Sequence, residues 1–176
     1  MIFTETALKG AYVITPECVE DERGYFARTF CRTEFSERGL NPELVQCNIS
    51  FNSKRGTLRG MHYQASPRAE AKLVRCTRGA IYDVIVDLRP GSPTYRRWIG
   101  TALDAGSPRM LYVPEGLAHG FLTLRDDTEV FYQMSEFYSV EQARGVRWDD
   151  PAFGISWPDT PCVISQKDRG YPDFAL

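Results

Sequence analysis

A chain of 176 residues, 43% hydrophobic and 25% charged, is long enough to close one hydrophobic core, and a single domain over residues 1–176 is the expected organisation. Its net charge of -2, with both signs interspersed, excludes the broad cationic face that a duplex nucleic acid requires, while leaving room for a local basic pocket and a small anionic partner. No apolar run approaches the roughly 20 residues that span a bilayer, and Met1-Ile2-Phe3-Thr4-Glu5-Thr6 carries no charged leader, so the expectation is a soluble cytoplasmic protein without a membrane partner.

In chain order, the first strand is expected over residues 10–15. Thr33-Glu34-Phe35-Ser36-Glu37-Arg38 then predicts a short helix stopped by Gly39. Strands follow at 43–52, 57–64 and 71–77. The clearest period-2 pattern is Ala80 to Leu88, where Tyr82, Val84, Val86 and Leu88 are all apolar while Ile81, Asp83, Ile85 and Asp87 mix apolar with acidic. One face of that strand is expected to pack and the other to do polar work. Further strands are expected at 95–103, 109–113, 117–124 and 128–138, separated by Arg78-Gly79, Pro90-Gly91-Ser92-Pro93 and Asp126-Asp127. A second short helix is expected from Ser139 to Arg144, with irregular segments wrapping the domain beyond it. Many short strands joined by turns predict a mainly β protein, a closed barrel or a jelly roll. Cys18, Cys31, Cys47, Cys76 and Cys162 are odd in number and lack a Cys-x-x-Cys pair, which fits reduced thiols.

The residues with chemistry cluster on these strands. Arg59-Gly60-Met61-His62-Tyr63-Gln64 sets a histidine close to an arginine, just upstream of Lys72. A neutral imidazole takes a proton near neutral pH, a guanidinium clamps phosphate and an ammonium holds an oxyanion. Arg59 and His62 have opposite parity on a regular strand, so both reach one pocket only if the strand bulges or twists, with Gly60 the obvious place. The second histidine, His119, follows the turn Pro114-Glu115-Gly116. Asp83 shares a face with Asp87, where it either supports a site or makes a structural salt bridge. With only two histidines and no His-x-His, the chain lacks the histidine-rich set of a catalytic metal centre, and no metal is expected.

Several segments in register over about residues 3 to 174 resemble the dTDP-4-dehydrorhamnose 3,5-epimerase family. They are Asp21-Glu22-Arg23-Gly24-Tyr25-Phe26, Gly56 to Gln64, Lys72-Leu73-Val74-Arg75, Asp87-Leu88-Arg89 with Ser92-Pro93-Thr94, Pro114 to Phe121, and Trp148-Asp149-Asp150-Pro151 with Ser165-Gln166-Lys167-Asp168. The resemblance implies a cupin-like antiparallel jelly-roll barrel, a homodimer, no metal, no organic cofactor and a nucleotide-diphosphate 4-keto-6-deoxyhexose as substrate. It also implies roles: His62 as base, paired with Asp168; Tyr132 as proton donor; Lys72 as the enolate-stabilising cation. Arg23 and Arg59 match positions that bind the diphosphate sugar, Gln46, Asn48, His119 and Lys167 match further substrate contacts, and Tyr138 matches an aromatic that stacks on the base.

Two positions depart from that pattern. Arg28 and Ala143 stand where the family commonly carries glutamates. Thymine offers an N3 proton to a carboxylate, whereas the unprotonated N3 of cytosine meets a donor such as arginine. The departures imply a nucleotide preference moved from dTDP toward CDP, unless Glu141 replaces the missing carboxylate. Other readings stay open: a sugar 3,4-ketoisomerase, which also enolises its substrate but moves the carbonyl, and a non-catalytic nucleotide-sugar-binding barrel, which binds without proton exchange. Inversion at both C3 and C5 or at C3 alone is likewise open.

Overall fold

The computed structural model describes residues 1–174. The strands are β1 (Ile2–Glu5), β2 (Tyr12–Thr15), β3 (Cys18–Asp21), β4 (Gly24–Ala27), β5 (Gln46–Asn52), β6 (Thr57–Gln64), β7 (Lys72–Arg78), β8 (Ala80–Asp87), β9 (Trp98–Asp104), β10 (Met110–Val113), β11 (Leu117–Thr123), β12 (Thr128–Met134), β13 (Ala143–Gly145) and β14 (Val163–Ile164). Helix α1 (Arg32–Ser36) precedes β5, and α2 (Gln166–Arg169) follows β14. One sheet runs β1-β2-β10-β7-β12-β5, the other β13-β6-β11-β8-β9 with β14 alongside β6, and β3-β4 form a separate hairpin. Apart from the parallel β14, every pairing is antiparallel. The result is a mainly β, cupin-like jelly roll.

Three apolar layers follow from the alternation along the strands. Between the sheets lie Val74, Cys76, Ile81, Ile85, Leu111 and Val130 with their neighbours. Outside the six-stranded sheet, Ile14, Leu73, Met110 and Tyr112 meet Phe35 of α1, whose ring packs edge-on to Phe3 and Tyr112. Outside the other sheet, Met61, Val84, Val86 and Ala118 are covered by Phe153, Trp157 and the rest of the C-terminal segment. That third layer explains the alternation in β8: its wholly apolar set faces the C-terminal wrap, and the set carrying Asp83 and Asp87 faces the interior.

Most expected strands are present, trimmed by a few residues at their ends. Four elements differ. Residues 2–5, 18–21 and 24–27 form strands that short, mixed-polarity segments did not announce. The Ser139 to Arg144 helix does not form: Ser139 O accepts from both Gln142 N and Ala143 N in a single turn, after which Ala143–Gly145 pairs with Gln64–His62. The open edge of β6 supplies backbone partners that outweigh local helical preference. The C-terminal region is irregular as expected, except for the two residues of β14 and the single turn α2.

Asp87 illustrates a motif that serves the fold. Its carboxylate is fully buried and accepts from Arg89 Nε at 2.9 Å and Nη2 at 2.8 Å, and from Ser92 Oγ and Thr94 Oγ1 at 2.6 Å each. Burial alone would push its pKa up, but the donors from Arg89, Ser92 and Thr94 outweigh it and hold the group well below the usual carboxylate range. An Asp87→Asn substitution is therefore expected to destabilise the fold by about 2 kcal/mol at pH 7, since it takes the charge from a fully buried hydrogen-bonded site and leaves the partly buried Arg89 guanidinium without its ionic partner. Because the folded pKa is depressed, the stabilisation is present above the unfolded value near 4 and fades as pH falls toward the folded one. Urea unfolding at pH 7 and pH 3 should show the gap between wild type and variant narrowing in acid.

Candidate active site

A cleft of about 740 Å³ opens between the two sheets and is lined by residues of both, a size typical of small-molecule sites. From one sheet β6 sends in Arg59, His62 and Gln64, and β11 sends in His119 and Phe121. From the other come Asn48 and Ser50 of β5, Lys72 of β7, and Tyr132 and Met134 of β12. Helix α2 closes one side with Lys167 and Asp168.

The parity problem on β6 is solved by a bulge. His119 lies opposite His62 and Phe121 opposite Arg59, so two steps along β11 span three along β6, and the extra residue lets both side chains face the cleft. Gly60 sits at this point with φ 133°. A Cβ there would come within 2.5 Å of Gly120 Cα, so the close approach of β6 and β11 requires glycine.

His62 Nε2 and Asp168 Oδ1 are 2.7 Å apart, while Gly60 N donates to the other carboxylate oxygen at 3.2 Å. Asp168 is held in place by α2, where Ser165 Oγ caps the helix by accepting from Asp168 N at 3.0 Å. Burial would raise the Asp168 pKa, but the His62 imidazole and the Gly60 N–H prevail and lower it, so the carboxylate is ionised. With the His62 proton on Nε2 facing Asp168, Nδ1 carries the lone pair that takes a proton. Tyr171 packs edge-on to the imidazole, ring centroids 6.2 Å apart.

Across the cleft, the Tyr132 phenol has its pKa raised chiefly by burial, with Asn48 and Arg59 opposing and Glu70 reinforcing. It is a protonated acid at neutral pH. The Lys72 ammonium, 8% exposed, donates to Glu70 Oε1 at 2.5 Å. A second imidazole–carboxylate pair lies deeper: His119 Nε2 and Asp83 Oδ1 are 2.6 Å apart, with Asp83 fully buried. Asp83 thus backs a histidine of the cleft.

The other expected contacts divide. Arg59 is braced by donating to Asn52 Oδ1 at 2.7 Å and to Phe51 O at 3.3 Å, which directs its remaining N–H groups outward. Asn48, Tyr138, His119 and Lys167 line the cleft. Gln46 does not line it; its Oε1 accepts from Tyr138 N at 2.5 Å and so fixes the tyrosine backbone. Arg23 and Arg28 do not reach the cleft of their own chain. Arg23 stands on the exposed hairpin bonded to Asp21, and Arg28 pairs with Glu34 at 3.6 Å, because the β3-β4 hairpin pairs only with itself and leaves the main sheets. Within one chain the expectation of an arginine reading a cytosine therefore loses its residue, although Ala143 does line the cleft.

Glu70, Asn52 and Tyr171 went unnoticed in the sequence. Glu70 and Asn52 carried a faint signal, since each continues a period-2 face, with Lys72 and with Asn48 and Ser50 respectively. Tyr171 carried none. Among the described residues, no three His, Cys, Asp or Glu side chains converge as metal ligands.

Residues 5–175 match the family model described as dTDP-4-dehydrorhamnose 3,5-epimerase. A curated relative of that name from Sinorhizobium fredii is 45% identical, the alignment covering 99% of this chain and 90% of the relative. The crystal structure of the dTDP-4-dehydrorhamnose 3,5-epimerase from Elizabethkingia anophelis superposes with a TM-score of 0.96 at 40% identity, covering 99% of this chain and 96% of the other. A dTDP-6-deoxy-D-glucose-3,5-epimerase from Legionella pneumophila, solved in complex with dTDP-4-keto-L-rhamnose, gives a TM-score of 0.89 at 35% identity over 97% of this chain and 90% of its own. Sequence and fold agree, and the chain belongs to the dTDP-4-dehydrorhamnose 3,5-epimerase family.

Proposed function

We propose that the protein is an isomerase that inverts C3 and C5 of dTDP-4-dehydro-6-deoxyglucose to give dTDP-4-dehydrorhamnose. One observation carries this reading: the base candidate and the acid candidate stand on opposite sheets of one cleft, His62 with Asp168 on one wall and Tyr132 with Lys72 on the other. Inversion requires a proton to leave one face of a carbon and arrive at the other.

The C4 ketone acidifies the protons on C3 and C5. His62 Nδ1 takes one, breaking C–H and forming N–H, and Asp168 stabilises the imidazolium. The electron pair moves to the ketone oxygen, where the Lys72 ammonium offsets the charge. Tyr132 then delivers its phenolic proton to the opposite face, the resulting phenolate takes a proton from solvent, and the His62 imidazolium releases its proton to solvent. The steps balance without a redox cofactor. Arg59 and Lys167, with Asn48 beside them, suit the diphosphate, and Tyr138 offers a stacking face to the base.

A homodimer in the cytoplasm is part of the same proposal. Ile49 and Phe51 of β5, with Val19, Tyr25 and Phe26 on the hairpin, form exposed apolar surface of the kind a second copy would cover, and no helix among the described residues is long and apolar enough to cross a membrane.

The test is NMR of the protein with dTDP-4-keto-6-deoxyglucose in deuterated water, with the CDP sugar in parallel. Deuterium at C3 and C5 of an inverted product is expected with the dTDP sugar. Label at C3 alone would make it a single epimerase, a displaced carbonyl would make it a ketoisomerase, and binding without exchange would leave a non-catalytic barrel.

A further inference from the structure

We propose that Glu70 is a positioning residue of this cleft, aiming the Lys72 ammonium at the enolate oxygen; the proposal rests on the epimerase reading above. Glu70 lies two residues before the start of β7 at Lys72, and both residues line the cleft. The Nζ–Oε1 distance is 2.5 Å, and the two side chains are only 10% and 8% exposed.

The backbone carrying Glu70 is clamped. Gln64 Nε2 donates to Arg68 O at 2.9 Å, Arg68 bridges to Glu136 at 3.0 Å, Ala71 N donates to Ser135 Oγ at 2.8 Å and Ser135 N donates back to Ala71 O at 3.0 Å. A lysine on a flexible stem samples many rotamers when its ammonium has no fixed acceptor; here the acceptor is fixed.

The charges of the cleft are otherwise allotted. Arg59 and His62 face it from β6, His119 from β11, Arg144 from β13, Lys167 and Asp168 from α2. Of the carboxylates lining it among the described residues, Asp168 is committed to His62 and Glu70 to Lys72. Glu70 is thus the carboxylate of the cleft that holds the Lys72 ammonium.

The experiment compares Glu70→Ala and Glu70→Gln, each alone and with Lys72→Met, using dTDP-4-keto-6-deoxyglucose. Glu70→Ala is expected to lower kcat about 30-fold with KM within about 3-fold, less than the loss of a whole oxyanion donor because the ammonium remains but is misaimed. Glu70→Gln keeps an acceptor for the ammonium and should recover kcat to within about 5-fold of wild type. In the Lys72→Met background, Glu70→Ala should cost less than about 2-fold. An equal loss in both backgrounds, a wild-type kcat for Glu70→Ala, or a Glu70→Gln variant no better than alanine would overturn the proposal. Absence of wild-type proton exchange would instead remove the epimerase reading on which it rests.

Discussion

Replacing His62 with alanine is expected to lower kcat by about 10³-fold, toward the upper part of the range for a positioned general base. KM should stay within about 3-fold, because the guanidinium and amide groups that would hold the nucleotide end are elsewhere in the cleft. The imidazole is 41% exposed, so its removal opens no sealed cavity. The decisive readout is deuterium wash-in, which should disappear at C3 and C5 together if one base serves both carbons. Loss at one carbon only would assign the other proton to a different group, with His119, held 2.6 Å from Asp83, the next to test. Asp168→Asn belongs to the same experiment. It keeps the shape of the pair but removes the charge that stabilises the imidazolium, and about 10²-fold in kcat should go with it. Wild-type turnover in that variant would show that the carboxylate only anchors α2.

Tyr132→Phe should separate exchange from inversion. Removing one hydroxyl leaves His62, Asp168 and Lys72 in place, so the carbon acid can still ionise and be reprotonated from the side it left. Product formation is expected to fall about 10²-fold or more, while deuterium continues to enter unreacted substrate with its configuration retained. A merely structural tyrosine would give the opposite result, with exchange and inversion falling in step or neither changing. Because burial raises the phenol pKa above its ordinary value, wild-type activity should persist through neutral and mildly alkaline pH, and a pH-rate profile carried to pH 10 would show it. If inversion at C3 survives in the variant and inversion at C5 does not, the tyrosine serves one carbon and a second donor serves the other.

Much of the architecture was legible locally. The period-2 faces of β8 and the turns at Gly79 and Pro90-Gly91 come from neighbouring residues, and local chemistry sets them. Where reading failed, the deciding partner was remote. The residues after Ser139 begin a helical turn and then become β13, because the β6 edge is there to pair with. Arg28 and Arg23 carry the right guanidinium for a phosphate or a base, yet the hairpin that bears them stands apart from the cleft of its own chain. Glu70 is marked by no local motif, and it meets Lys72 because the clamp on its loop places it there.

By itself the sequence determined the strand alternation, the need for a bulge at Gly60 between Arg59 and His62, and the stock of bases, acids and cations available for chemistry. It also carried enough motifs in register to name the family. Only the tertiary structure decided which groups meet: Asp168 with His62 across 106 residues, Asp83 with His119, and Tyr132 facing the dyad from the opposite sheet. The reason is physical. Side-chain direction follows from backbone periodicity within a few residues, whereas a hydrogen bond between distant strands depends on sheet order and register, which the packing of the whole core selects.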